Sequence, residues 1–397
     1  MATESEPSRA ELLDRARALA PVLLARAPQA EALRKLPEET VQDLKASGLY
    51  RILQPRHWGG YELDFGLLNE IGIELGKGCG STSWVYCNLA SHHWMLGMWG
   101  EAAQRAVWRD DSDALICSSF VYPAGKATAV AGGYRLRGNW PFCSGIDCSQ
   151  WIMLGAFVDT GNAAAGPGKP LAFLVPAKDY QIIDNWHVAG LCATGSHNIQ
   201  VNDAFVPTEL TLNPAELRGG PSPGSTLSQS PLYRVPLLAS FGFVLSGVVI
   251  GIAKGTLERF VAETRSRVTT YTAARTADFT GVQLKVGEAA ALIQAAELLL
   301  KHGVEDLLRL TAAEQIPEVE RKLGYRRDGT YAIALATKAV DLLYSASGGR
   351  GIFDSNPIQR AFRDVHAASA HINNNWEIAA TAYGRVALGL PPDNPML

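Results

Sequence analysis

The chain has 397 residues, 47% of them hydrophobic and 19% charged, with a formal net charge of −3. That balance excludes a nucleic-acid binder working through a broad basic face, a polybasic membrane tether and a disordered chain. The length calls for two or three sub-domains around a shared core, and the low charge with 38 Gly points to extensive buried interfaces.

The first third reads as helical. Glu11 to Ala27 carries apolar residues at helical spacing, and Leu36-Pro37-Glu38-Glu39 opens a second helix, with acids at its positive end, that stops near Gly48. Leu67 to Leu75, Ser81 to Met98 and Glu101 to Trp108 follow. From Ala114 to Pro207 the texture changes to short apolar or alternating runs: Ala114–Val121, Tyr134–Gly138, Trp151–Val158, Leu171–Val175 and Asn198–Phe205. Turns are expected at Gly132-Gly133 and Gly161-Asn162, which predicts an antiparallel β domain. A Pro/Gly/Ser-rich stretch over 211–232 reads as a flexible loop or lid. Helical patterns then return at Leu237–Arg267, Gly281–Leu310, Ile316–Gly348 and Pro357–Leu388, a four-helix bundle. The expected organisation is α+β: helices over 1–112, a β domain over 113–210, a loop over 211–235 and a bundle over 236–397.

The segment Leu237–Ala253 is free of charge but short of the ~20 residues that span a bilayer, and its Gly and Ser content suits a buried bundle helix. The N-terminus, Met1 to Arg9, lacks the pattern of a signal peptide. Cys79, Cys87, Cys117, Cys143, Cys148 and Cys192 show neither C-x-x-C pairing nor zinc-site spacing with histidine. They read as buried thiols in a reducing cytoplasm, with no membrane, metal or nucleic acid as partner. No G-x-G-x-x-G or P-loop opens a helix after a strand, so direct NADH binding is not indicated.

Five segments, in order, carry a resemblance. They are Cys79-Gly-Ser-Thr-Ser-Trp84, His92-His93-Trp94, Gly138-Asn-Trp-Pro-Phe-Cys-Ser-Gly145, Gly190-Leu-Cys-Ala-Thr-Gly-Ser196, and Asn356 to His366 with its Arg363-Asp364 pair. On this helix–β–bundle texture the chain resembles the acyl-CoA dehydrogenase superfamily. In detail it resembles the flavin-dependent monooxygenase branch, the oxygenase components of two-component aromatic hydroxylases. The resemblance implies reduced FMN, with FAD possible, supplied by a separate NAD(P)H-dependent flavin reductase. It implies O2 as co-substrate, oxygen transfer through a flavin C4a-hydroperoxide to a small aromatic or polycyclic substrate, and a homotetramer.

A dehydrogenase of this superfamily needs a carboxylate to remove a proton next to the thioester. Counted from Arg363-Asp364, the positions of its Tyr-Glu motif hold His371 and Ile372, and no Asp or Glu lies between Glu216 and Glu258. A histidine suits proton exchange near neutral pH, and by resemblance His371 is the first catalytic candidate. His366 is expected to be structural. The resemblance lays Trp140, Phe142, Ser144 and Gly145 along the flavin ring, with Ser144 near N5 and Phe142 as an apolar wall. It adds Thr194, Ser196 and, at the phosphate end, Arg350 in Ser347-Gly-Gly-Arg-Gly351. Trp84, His92 and, more weakly, Ser119 are expected at the substrate, with His93 as the alternative to His92. Asp147-Cys148 and Cys192-Ala193 depart from the pattern of many relatives, each removing a polar or charged group. The alternatives left open are N- or S-oxygenation on the same fold, an acyl-CoA dehydrogenase-type flavoprotein, and a non-catalytic flavin-binding scaffold.

Overall fold

The computed structural model describes residues 6–159 and 168–393. The N-terminal helices are α1 (Arg9–Leu33), α2 (Glu38–Ala46), α3 (Phe65–Gly78), α4 (Gly80–Gly97) and α5 (Glu101–Trp108). A capping box of Ser8 and Glu11 starts α1, and the Asp64 side chain caps α3. The helix α4 has no charged residue and is buried all round except at Asn88, which makes it the central helix of this layer. It carries Trp84, Asn88 and His92 at spacings of four, so the three lie along one ridge.

The strands are β1 (Ile116–Ser119), β2 (Gly125–Val130), β3 (Gly133–Cys143), β4 (Trp151–Val158), β5 (Pro170–Pro176), β6 (Gln181–Ile183), β7 (His197–Pro207) and β8 (Thr211–Leu212). They form one sheet in the order β6-β7-β3-β2-β4-β5-β8, with β1 also on β4. The expected antiparallel domain is corrected to a mixed sheet, because β1 and β2 both run parallel to β4. They lie along β4 as one strand interrupted by the 3-10 turn Tyr122–Ala124, where Pro123 can donate no ladder hydrogen bond. The turn expected at Gly161-Asn162 lies outside the described residues.

Between β8 and the bundle the chain is a string of short 3-10 turns packed on the core, which corrects the reading of a flexible loop. Leu217, Leu232 and Tyr233 are buried there, and Trp94 Nε1 donates to the Leu232 carbonyl at 2.8 Å. Gly224 passes so close to α4 that a Cβ on it would lie 2.0 Å from the Gly97 carbonyl oxygen.

The C-terminal helices are α6 (Leu237–Val244), α7 (Ser246–Ser266), α8 (Thr280–Ala312), α9 (Val319–Ser347), α10 (Pro357–Ser369) and α11 (Trp376–Ala387). The apolar stretch through α6 and α7 is 83% buried inside the fold, as a core helix is. The single last helix expected over 357–388 is corrected to α10 and α11, separated by a break that begins next to His371. Side chains compete with the backbone ladder there. His371 Nδ1 accepts from the Asn373 N–H at 3.2 Å, Asn374 Nδ2 donates to the Ala368 carbonyl at 2.8 Å, and Asn375 caps the Ile378 N–H at 3.1 Å.

Candidate active site

The site forms where α4, the end of β3, the turn before β7 and the end of α10 meet. In β3 the pairing with β7 shifts register between Trp140 and Cys143, and Phe142 within the shift has φ +61°. A bulge of this kind re-aims a side chain, and Phe142 is turned out to 64% exposure with its edge toward Trp186. A bulky residue in left-handed backbone carries strain, and its exposed ring gains little from the fold itself. This is what a ligand-facing wall looks like.

Two residues on, Ser144 joins a chain of hydroxyls. Trp84 Nε1 donates to Ser144 Oγ at 3.2 Å, Ser144 and Ser196 lie 2.7 Å apart, and Ser196 and Thr194 lie 2.7 Å apart. Thr194 Oγ1 donates to the Leu191 carbonyl at 2.9 Å, and a carbonyl can only accept. That last bond fixes the direction of the rest. Thr194 must accept from Ser196, and Ser196 from Ser144. Ser144 is therefore left with a free lone pair, so it offers an acceptor to a ligand N–H. Gly145, at φ +75°, ties the two segments by donating its N–H to the Thr194 carbonyl at 2.8 Å.

His371 stands across Trp84, with ring centroids 5.5 Å apart in an edge contact. Its Nδ1 is used as an acceptor, so the neutral ring carries its hydrogen on Nε2, which has no hydrogen-bond partner among the described residues. Burial holds the ring neutral by lowering its pKa to about 4.

His92, expected at the substrate, is buried and paired with Ser118. Its Nδ1 donates to the Ile116 carbonyl at 2.7 Å, so Nε2 is the acceptor for Ser118 Oγ at 2.8 Å. Burial, opposed by the bond to Ile116, lowers its pKa to about 4. The half-buried Ser118, with its lone pairs free, is the group this pair can present to a ligand. Ser119 points to the other face of β1, is buried, and donates to the Pro141 carbonyl at 2.8 Å. His93 is buried against Trp108 away from the Ser118 pair.

Trp140 does not face the site. It is fully buried in the sheet core, donates Nε1 to the Gly155 carbonyl at 2.7 Å, and would be struck by any Cβ on Gly125. Arg350 is exposed in the turn Gly348–Ile352, and no bond of its side chain to the hydroxyl chain is found. His366 binds Asp341 at 2.9 Å on the bundle, a structural place. Sequence reasoning missed Ser118 and Trp186. The partner of His92 was not legible before β1 was placed.

The residues present fit a flavin: a strained exposed ring wall, an acceptor hydroxyl beside it, and an unpaired imidazole N–H across from it. Among the described residues there is no cluster of metal-binding side chains. A concavity of about 760 Å³ on the bundle, around Asp306, Arg321 and Tyr383, shares no residue with this site.

Comparison with known proteins gives the family. Residues 6–111 match the family model "Acyl-CoA dehydrogenase, N-terminal domain", and residues 243–376 match "Acyl-CoA dehydrogenase, C-terminal domain". The chain is 37% identical to the FADH(2)-dependent resorcinol hydroxylase, oxygenase component, of Rhizobium sp. (strain MTP-10005), covering 96% of this chain and 95% of that one. The crystal structure of 3-HSA hydroxylase from Rhodococcus sp. RHA1 superposes with a TM-score of 0.92 at 33% identity, over 98% of this chain and 99% of that one. XiaF from Streptomyces sp., in complex with FADH2 and glycerol, gives a TM-score of 0.89 at 31% identity, over 98% of each chain.

Proposed function

From the premise that the chain belongs to the flavin-dependent monooxygenase branch of the acyl-CoA dehydrogenase superfamily, as an oxygenase component of the two-component aromatic hydroxylases, we propose that its substrate is a small phenol. Reduced flavin with O2 supplies the electrophilic oxygen. The observation that carries the phenol is the Ser118–His92 pair. Ser118 donates to His92, so its oxygen accepts a substrate hydroxyl and passes the polarisation to a neutral imidazole. A phenol polarised in this way is more electron-rich at its ring carbons. An amine or thiophene would make poorer use of an acceptor here, which ranks N- and S-oxygenation second.

The remaining roles belong to the same proposal. Ser144, with an acceptor position left open, would hold a reduced flavin by an N–H of its ring. Phe142 and Trp186 form the ring wall and exclude water. His371 would offer its Nε2–H as a donor to negative charge that develops on oxygen at the site. Two relatives above 30% identity name FADH2, so FADH2 is the flavin to try first and FMNH2 the second. A separate NAD(P)H-dependent flavin reductase would supply either. Exposed Leu284, Leu298, Ile352, Phe353 and Ile372 on the C-terminal segments support subunit contacts in a homotetramer. In such an assembly Arg350 would serve a flavin phosphate across a subunit boundary. Free cysteines agree with a reducing cytoplasm.

The test supplies photoreduced FADH2, or FMNH2, and 18O2 with a panel of phenols including resorcinol, and weighs the products. One 18O atom on the ring is expected. If no phenol acquires oxygen while an acyl-CoA reduces enzyme-bound flavin, the dehydrogenase reading takes its place.

A further inference from the structure

Behind the hydroxyl chain stands a carboxylate that these roles do not use. Asp364 on α10 is 3% exposed, and its Oδ1 accepts the Leu191 N–H at 2.7 Å. Leu191 is itself buried and held at φ +52°, a backbone region that a leucine avoids. Its carbonyl is the common acceptor for the site's outer parts: the Thr194 N–H at 3.1 Å, Thr194 Oγ1 at 2.9 Å and Trp186 Nε1 at 3.3 Å. One residue, held at its N–H by Asp364, therefore anchors through its carbonyl both the hydroxyl chain and the indole beside Phe142.

The other carboxylate oxygen faces α4. A Cβ on Gly80, the first residue of that helix, would sit 2.9 Å from Asp364 Oδ2. Cys79, the residue before it, offers no side-chain cap. A negative group at this end is favoured by the helix dipole. Ser81 extends the tie by accepting the Ala193 N–H at 3.3 Å. The neighbouring Arg360 and Arg363 are engaged elsewhere, by Glu31 on α1, and Arg363 also donates to the Ala189 carbonyl at 2.6 Å. Asp364 is thus left to join three elements: α10 leading to His371, α4 bearing Trp84, and the turn bearing Thr194 and Ser196.

We infer that Asp364 is a positioning residue for flavin binding, acting through the strained Leu191 to set the direction of the Ser144–Ser196–Thr194 chain and the place of the Trp186 wall. The inference rests on the proposal that the site takes reduced flavin. Asparagine is nearly isosteric but cannot replace the carboxylate. Whichever way its amide is turned, an NH2 meets either the Leu191 N–H or the amino end of α4.

The experiment is a double-mutant cycle on the full-length protein, read as anaerobic binding of FADH2. Asp364→Asn should weaken FADH2 binding about tenfold, and Ser196→Ala, which cuts the chain directly, by a similar factor. If both act through one chain, the double variant should bind within about threefold of the weaker single variant. A merely structural carboxylate would give multiplied losses, near a hundredfold, and that result overturns the inference, as does unchanged affinity in Asp364→Asn. Absence of saturable FADH2 binding by the wild type would instead sink the flavin reading itself. Should Asp364→Asn fail to fold, amide hydrogen exchange in the wild type decides. Leu191 protected as strongly as the interior of α10 supports the tether, and exchange faster than those amides refutes it.

Discussion

His371 shows how much a single side chain's tautomer decides. The Asn373 N–H claims Nδ1, so the hydrogen sits on Nε2 and the ring is a donor toward the site. A donor there can stabilise negative charge on a leaving oxygen, but it cannot remove a proton while in that state. His371→Ala should therefore leave flavin oxidation running and lose the coupling. Hydroxylated product per FADH2 consumed should fall by about 10- to 100-fold and H2O2 should rise to match. Equal product yield in wild type and variant would take His371 out of the chemistry. Residue types were readable from the chain at this scale; their bonding was not. Ser144, Ser196 and Thr194 were placed together by resemblance, whereas the one-way order of their hydroxyls depends on the Leu191 carbonyl, which only the turn geometry reveals. Trp140 and Ser119 failed for a related reason: strand alternation and a bulge decide which face each one takes, and a one-residue shift reverses it.

Among the elements, the break between α10 and α11 matters most, because it frees His371 from a helical ladder. Its cause was written in Asn373-Asn374-Asn375, a run of residues that prefer caps and turns to helix interiors, although the apolar period ran on past it. Asn375→Ala deletes the cap on Ile378 and should cost about 1 kcal/mol, read as a lower denaturation midpoint in urea. An unchanged midpoint would mean the α11 start is held by packing alone. The long helices and β4 were legible because their apolar periods are strong. The strands β2, β6 and β8 were not, being short, exposed on one face or interrupted. The 211–235 stretch misled for a different reason. Its composition is that of a loop, yet Leu217, Leu232 and Tyr233 reach the core from it.

Taken whole, the molecule moves several ionisable groups away from their ordinary pKa values. Burial lowers His92, His93 and His371 from an ordinary 6.5 to about 4, so each is neutral in the fold. A depressed histidine contributes stability that is present above pH 6.5 and is lost as pH falls through 4, about 3 kcal/mol each for the fully buried His92 and His93. Asp364 runs the other way. Burial raises it to about 6, so its charge costs on the order of 3 kcal/mol above that pH and the cost disappears on acidification. The histidines outnumber it. The thermal midpoint should therefore drop steadily between pH 6.5 and pH 4, and a midpoint that holds level across that window would contradict the neutral buried state.

The ion pairs of Glu31 with Arg360 and Arg363 join the first helix to α10, across 329 residues in the case of Arg360. Despite its burial, the two guanidinium groups hold the Glu31 carboxyl below its usual range. The clamp on residues 189–191 and the placement of His371 both hang from α10. During synthesis the N-terminal helices and the sheet emerge long before that helix exists. The flavin face thus has to wait for α10, and a nascent or truncated product ending before α10 would own the N-terminal helices and the sheet and none of the tether. Maturation of the site is in this sense a checkpoint on the arrival of α10.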